Sequence, residues 1–160
     1  MAIRLPIGLS QGQALTATRE GGLNVRVFWD GIGHVWTGPL GLTGKLLTLP
    51  SSVVQGLQLT DDQWTAEFIA RYSLAESQAE QDIGSLFWAK LDDVRKSAAT
   101  DIAYQQGGAG LAGYHKMIAA IQRQDWVTAE AECIDSEAEK ETPRRCTENS
   151  KMFLTGQWPQ

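Results

Sequence analysis

Hydrophobic positions recur with two different periods along this chain, and the period changes near residue 60. In NVRVFW, residues 24–29, the apolar side chains Val25, Val27 and Trp29 occupy every second position. This alternation is typical of a β-strand with one buried face. A glycine-rich stretch containing HVWT and KLLTL follows, so the sequence predicts a small antiparallel sheet of two or three strands.

A helical period governs the segments on either side of this sheet. SQGQALTATRE, residues 10–20, stops at a Gly-Gly pair, which predicts a short helix with Glu20 at its carboxyl end. Thr60 and Gln63 have the spacing of a capping box, so a long helix is predicted to begin there and to run to about Gly84. The apolar stripe expected to face its core consists of Trp64, Phe68, Ile69, Tyr72 and Leu74.

The remaining sequence is predicted to be helical, in the segments LDDVRKSAATDIAYQQ, YHKMIAAIQRQ, DWVTAEAECID and TPRRCTENSKMFLTG. Asp125 and Thr142 are the expected N-caps of the last two helices, and Pro143 suits a first helical position.

The order of these elements predicts an α+β fold in a single domain, residues 1–160. We expect a sheet lobe (20–59), a connecting helix (60–84) and a helical lobe (85–160), with helix 10–20 packing on the helical lobe. A cleft is expected between the two lobes.

Composition and charge narrow the class of protein. A chain of 160 residues with 42% hydrophobic residues and six tryptophans is globular rather than disordered. The net charge of −5 is unevenly spread: residues 1–59 carry four bases and two acids, whereas residues 60–160 carry ten bases and seventeen acids. The acidic second half disfavours nucleic acid as a partner, because phosphate binding needs clustered lysines and arginines.

The cysteines and histidines do not have the spacing of metal ligands. Cys133 and Cys146 are too few for a disulfide framework, which favours two buried free thiols over a bridge. His34 and His115 are far apart in the chain, so we expect neither a metal nor an organic cofactor. The amino terminus has no apolar run long enough for a signal peptide or anchor, which predicts a cytosolic product without stable membrane association.

Two acids stand on either side of the first predicted strand. Glu20 and Asp30 are the only acids among residues 1–59. Glycoside hydrolysis needs such a pair, in which one protonated carboxyl donates to the leaving oxygen and one carboxylate activates water or attacks the sugar. Acids at helix ends and in turns also serve as exposed caps, so the residue types alone leave both interpretations open.

The segment EGGLNVRVFWDGIGHVWTGPLGLTG, residues 20–44, resembles the active-site segment of phage lysozymes, glycoside hydrolase family 24. Glu20 with the following glycine is similar to the family's catalytic Glu-Gly, Asp30 to its catalytic Asp, and the VWT that ends at Thr37 to the strand with its catalytic Thr. One extra residue lies in each of the two intervals.

The match is less regular after Thr37. The family pattern Gly-x-Gly-His-Thr-Gly is replaced by GPLGLTG, residues 38–44, with Leu42 where the histidine would fall. A rival alignment places GIGH, residues 31–34, on that pattern, which would delete the hairpin and leave Asp30 without its role.

The second half of the chain resembles the same family. The similar segments are TDIAYQQGGAGLAGYHKMIAAIQRQDWVTAEAE and TPRRCTENSKMFLTGQW, with Thr-Pro-x-Arg at 142–145 and Thr-Gly-x-Trp at 155–158. The two regions of resemblance together cover nearly the whole chain and imply a lysozyme-like fold with two lobes.

The resemblance implies a muramidase that hydrolyses the β-1,4 bond between N-acetylmuramic acid and N-acetylglucosamine in bacterial peptidoglycan. Glu20 would donate the proton to the glycosidic oxygen, and Asp30 with Thr37 would hold the attacking water, which gives inversion at the anomeric carbon. The other site residues implied are Arg145, which supports the catalytic Glu, and the substrate contacts Thr43, Tyr104 and Gln105.

Such an endolysin would accumulate as a monomer in the host cytoplasm and reach the periplasmic wall after another protein has opened the inner membrane. A virion-borne wall-entry enzyme is an alternative. A lytic transglycosylase in which Glu20 acts alone and a wall-binding module without catalysis are rival functions. Trp29 and Trp36 lie near the proposed pair and could line a sugar cleft, but core packing is favoured for both.

Overall fold

The computed structural model describes residues 2–136 and 142–160 and has an α+β architecture, mostly helical with one small antiparallel sheet. In chain order the elements are α1 (Gln11–Arg19), β1 (Phe28–Asp30), β2 (Val35–Thr37), α2 (Asp61–Ile83), α3 (Ser85–Trp88), α4 (Asp93–Gln106), α5 (His115–Gln122), α6 (Trp126–Ile134) and α7 (Pro143–Thr155). Short 3-10 turns cover Gly22–Asn24, Pro39–Gly41 and Gly107–Ala109. The chain divides into two compact units, Met1–Ser73 and Leu74–Gln160, with the boundary inside α2.

Helix α1 of the first unit has both of its ends encoded locally. The Ser10 hydroxyl accepts the Gln13 N–H at 3.2 Å, and the Gln13 side chain accepts the Ser10 N–H at 3.0 Å, which forms a capping box. The helix stops at Glu20, and Gly21 follows with φ = 81°. The prediction of a short helix with Glu20 at its carboxyl end is therefore confirmed.

Strands β1 and β2 form one antiparallel hairpin, with Phe28 opposite Thr37, Trp29 opposite Trp36 and Asp30 opposite Val35. The first strand is shorter than the predicted 24–29, because residues 22–24 form a 3-10 turn that is bound to the amino-terminal segment. The Arg4 N–H donates to the Asn24 side chain at 2.6 Å, and the Leu23 N–H donates to the Arg4 carbonyl at 2.8 Å.

The sheet has two strands, within the predicted two or three, and the KLLTL segment does not form a third. Only isolated bridges occur, between Thr37 and Thr43 and between Lys45 and Ser52. The physical reason lies in α2, where the Glu67 carboxylate accepts the N–H groups of Leu47 and Thr48, both at 2.6 Å. These two amides are therefore bound to a side chain instead of to a neighbouring strand.

Helix α2 begins with the predicted capping box between Thr60 and Gln63 and ends before Gly84, which has φ = 93°. Trp64, Phe68 and Tyr72 are buried as expected. The prediction was wrong for Ile69 and Leu74, which are 39% and 57% exposed. Both lie outside the helical face that the other three share, whereas Glu67 lies on that face and is buried.

The second unit contains the helices that follow α2. Helix α6 packs against α5 and α7, and α4 packs against α7. Apolar side chains fill the core of this unit, among them Ala98, Ile102, Leu111, Met117, Ile121 and Phe153. The four-residue helix α3 was not predicted.

Two cap predictions in this unit have different outcomes. Asp125 accepts the Thr128 N–H at 3.2 Å and caps α6 as expected. Thr142 stands before α7 with Pro143 in the first turn, but its side chain makes no capping hydrogen bond and accepts one from Gln105 at 2.8 Å. Cys133 and Cys146 are buried thiols that are not joined by a disulfide, as predicted, and their Sγ atoms are 3.9 Å apart.

Candidate functional site

Glu20 is the first candidate residue, and it is half-buried at the carboxyl end of α1. Its side chain lies directly on the backbone of Gly41, in the turn that follows β2. A methyl group at position 41 would lie 2.7 Å from Glu20 Cδ and closer still to Oε2. Only glycine therefore permits this contact.

Asp30, the second candidate, ends β1 and faces the hairpin loop. Its Oδ1 accepts the Ile32 N–H at 2.9 Å, the pattern of an Asx turn. Its Oδ2 lies near Gly33, where an added Cβ would be 3.0 Å away. The carboxylate thus supports the turn of the hairpin while it stays only partly buried.

Thr37, the third candidate, ends β2 and is joined to Thr43 by a backbone bridge. Its Oγ1 is buried, and it has no hydrogen-bond partner among the residues that the structure describes. Asp30 is opposite Val35, two positions before Thr37, so Asp30 and Thr37 lie on the same face of the hairpin. Diagonal neighbours of this kind are about 7–8 Å apart, which leaves room for a water molecule between them.

The tryptophan pair lies on the other face of the hairpin. Trp29 and Trp36 are opposite each other in the register, and their rings meet edge to face with centroids 5.5 Å apart. The expectation of core packing was wrong for Trp29, which is 50% exposed. Strand alternation directs both indoles away from the face that carries Asp30 and Thr37.

Leu42 occupies the position where the phage-lysozyme pattern has histidine, and it is a buried core residue. The rival alignment, which puts residues 31–34 on that pattern, would remove the hairpin that the structure contains. In the structure these four residues form the exposed hairpin loop, with His34 in a left-handed conformation at φ = 51°.

Sequence reasoning missed Glu67, whose carboxylate is fully buried. Burial raises the pKa of Glu67, but hydrogen bonds from the Thr48 hydroxyl and the Leu47 and Thr48 amides, with the charge of Arg71, outweigh it, so its pKa lies below the ordinary 4.5. An acid on the same helical face as Trp64 was the available signal.

Arg71 lies one helical turn further along α2 and holds the other end of the same loop. Its Nη2 donates to the Thr43 carbonyl at 3.3 Å and to the Lys45 carbonyl. Glu67 and Arg71 together therefore fix the backbone from Thr43 to Thr48. The predicted substrate contact Thr43 is held through its backbone, and its side chain stays partly exposed.

The second unit contains the other predicted site residues. Arg145 donates twice to Asp101, from Nε and from Nη2, both at 2.9 Å. Asp101 is fully buried and also accepts the Asn149 side chain at 2.8 Å. The side chain of Arg145 is only 11% exposed, so it is not an ordinary surface arginine.

Asp101 was the second carboxylate missed from the sequence. Its signal was an acid within the small-residue run KSAATDIAY, with Arg145 and Asn149 one helical turn apart on α7. Tyr104 and Gln105 are half-buried at the end of the same helix α4, and Gln105 is bound to Thr142. Their predicted role in substrate binding stays a prediction.

A comparison with known protein families and with curated proteins finds no match for this chain. Among residues 2–136 and 142–160, no cluster of three or more His, Cys, Asp or Glu side chains could hold a metal ion. Within the same described ranges, no helix combines the length and the apolar character that crossing a membrane requires.

Proposed function

We propose that this chain is a muramidase of the phage-lysozyme type, which hydrolyses the β-1,4 bond between N-acetylmuramic acid and N-acetylglucosamine in bacterial peptidoglycan. The observation that carries the proposal is the buried hydroxyl of Thr37, which has no hydrogen-bond partner among the described residues and lies on the same hairpin face as Asp30. Thr37 also ends the strand before the turn at Gly41, on which the Glu20 side chain lies. A buried hydroxyl without a partner costs stability, which is the expected cost of a group that binds a reacting water.

In the proposed reaction, Glu20 donates its proton to the glycosidic oxygen as the bond from that oxygen to the anomeric carbon breaks. A water molecule held between Asp30 and Thr37 attacks the same carbon from the opposite side and gives its proton to Asp30. An inverting pair of carboxyl groups stands about 6.5–9.5 Å apart to leave room for that water. The chemistry needs no metal ion and no organic cofactor.

The biological setting is part of the proposal. The enzyme acts as a monomer without a nucleic-acid partner or a stable membrane contact. It accumulates in the host cytoplasm and causes lysis after another protein opens the inner membrane. Thr43, Tyr104 and Gln105 are proposed to contact the glycan, and Arg145 to support Glu20.

The test is clearance of outer-membrane-permeabilised Gram-negative cells by the purified protein, with mass analysis of the released fragments. Glu20→Gln and Asp30→Asn are each expected to abolish release of fragments with reducing ends while the circular dichroism spectrum stays native. Asp62→Asn is the matched control, because Asp62 is an exposed acid of the first unit outside the proposed site. Full activity in both site variants would refute the proposal.

One observation favours a second candidate, a lytic transglycosylase in which Glu20 acts alone. The Asp30 carboxylate already accepts the Ile32 N–H of the hairpin loop, which is a sufficient structural role for it. In that reaction a hydroxyl of the muramic acid replaces water, and the products carry 1,6-anhydro ends. Such ends, released also by Asp30→Asn, would favour the transglycosylase, whereas wall binding without release would leave a binding module.

A further inference from the structure

The turn between Thr37 and Thr43 has an unusual backbone. Leu40 has φ = 61° and ψ = 24°, and Gly41 follows with φ = 68°, so two consecutive residues adopt the left-handed conformation. Leucine rarely does so, because its Cβ crowds the following carbonyl. The Leu40 side chain is fully buried, and burial therefore holds the backbone in this conformation.

This backbone conformation forms a seat for Glu20, by which we mean the contact between the Glu20 carboxylate and the backbone of Gly41. The left-handed conformation places the bare Cα of Gly41 under the carboxylate, where an added methyl group would be 2.7 Å from Cδ and 3.1 Å from Cγ. The Gly38 N–H closes the turn by donating to the Leu42 carbonyl at 2.8 Å. The seat is thus part of the same short segment that begins at Thr37.

We propose, on the basis of the muramidase reaction above, that the Pro39–Leu42 turn positions the Glu20 carboxylate and that Gly41 is its positioning residue. The turn ties the proton donor on α1 to the strand that carries Thr37. Strained backbone held by burial is a known way of fixing a reacting group. Gly41 itself touches no substrate and acts only through Glu20.

Gly44 supplies a matched control for Gly41. Its φ of 65° is nearly the same, but an added Cβ would meet nothing within 4 Å. Gly41→Ala and Gly44→Ala therefore introduce the same backbone strain, and only Gly41→Ala pushes on the carboxylate. Any excess effect of the first variant reports the contact with Glu20.

The first arm of the experiment measures stability and needs no activity. Urea unfolding midpoints are compared for Gly41→Ala, Gly44→Ala, Glu20→Ala and the double variant Glu20→Ala/Gly41→Ala. We expect Gly41→Ala to lower the midpoint more than Gly44→Ala, and the excess to vanish in the Glu20→Ala background. An excess that persists there, or no excess at all, would overturn the contact.

The second arm measures steady-state hydrolysis of soluble peptidoglycan chains. A carboxylate displaced by about 1 Å costs about 100-fold in rate, so Gly41→Ala should lose kcat with little change in KM, whereas Gly44→Ala keeps both. Equal kcat values for the two variants would overturn the positioning role. Failure of the wild-type protein to hydrolyse any glycan would refute the muramidase reaction, and the stability arm would still decide whether the seat exists.

Discussion

Replacing Asp101 by asparagine removes one charge from a desolvated ion pair without changing the size of the side chain. In the second unit Asp101 is fully buried and binds Arg145 through two hydrogen bonds of 2.9 Å. Asn149 supplies a third, at 2.8 Å. In the asparagine variant the Arg145 guanidinium loses its counter-charge at Asp101. The Arg145 side chain is only 11% exposed, so its charge stays largely desolvated.

The expected loss follows from that burial. Breaking a buried pair by removing one partner costs about 3–5 kcal/mol, because the remaining charge stays desolvated. For a domain of this size, the loss corresponds to a thermal midpoint lowered by roughly 6–20 °C. An exposed pair contributes about 0–1 kcal/mol, so the two environments predict clearly different results.

Helix α7 offers the matched control in Arg144, the residue before Arg145. Arg144 pairs with Glu148 at 2.9 Å but is 91% exposed. Urea and thermal unfolding of Asp101→Asn are compared with those of Arg144→Gln, which should change the free energy of unfolding by less than about 1 kcal/mol. Equal losses in the two variants would refute the reasoning from desolvation.

Three further predictions concern single groups. The pKa of Glu67 in the folded protein lies below the ordinary 4.5, so the stabilising effect of its carboxylate is complete above pH 4.5 and is lost as the pH falls through the folded-state pKa. Glu67→Gln should therefore weaken the pH dependence of urea unfolding between about pH 5 and pH 2. The pKa of Cys133 is raised by its hydrogen bond with Cys146 and by burial, and both thiols are buried. Iodoacetamide should therefore alkylate the two thiols only after unfolding, and rapid labelling of the native protein would contradict this. Thr37→Val removes a buried hydroxyl that has no hydrogen-bond partner within residues 2–136 and 142–160. It should leave the free energy of unfolding unchanged or about 1 kcal/mol higher while lowering the hydrolysis rate; a loss of stability would point to a structural role.

The features predicted well from the sequence are those whose physical cause is local. The capping box at Thr60 and the glycine stop after Glu20 involve only residues close together in the chain, and both are present. The hairpin and the helical second half follow in the same way from periodicity. The placement of Glu20 at a helix end and of Asp30 and Thr37 at strand ends was therefore accessible without a structure.

The features that were missed depend on partners far apart in the chain. Glu67 binds amides about twenty positions away, and Asp101 binds Arg145 across 44 positions. Local spacing does not indicate the partners of Glu67 or of Asp101. The only sequence signal for either carboxylate was an acid among apolar residues of a helix. The Leu40 conformation likewise results from burial of its side chain, which no turn rule for leucine anticipates.

The register of the hairpin also limits how its length can change. Side chains in a strand alternate between faces, so one residue inserted inside β1 would exchange the faces of Trp29 and Asp30, and one inserted inside β2 would exchange those of Trp36 and Thr37. Insertions in the exposed loop at 31–34 do not change which face each strand residue points to, because the loop lies outside the paired residues. Length variants that keep both polar groups on one face should therefore carry their added residues in the loop, and a library of single insertions across residues 26–38 would map that boundary directly.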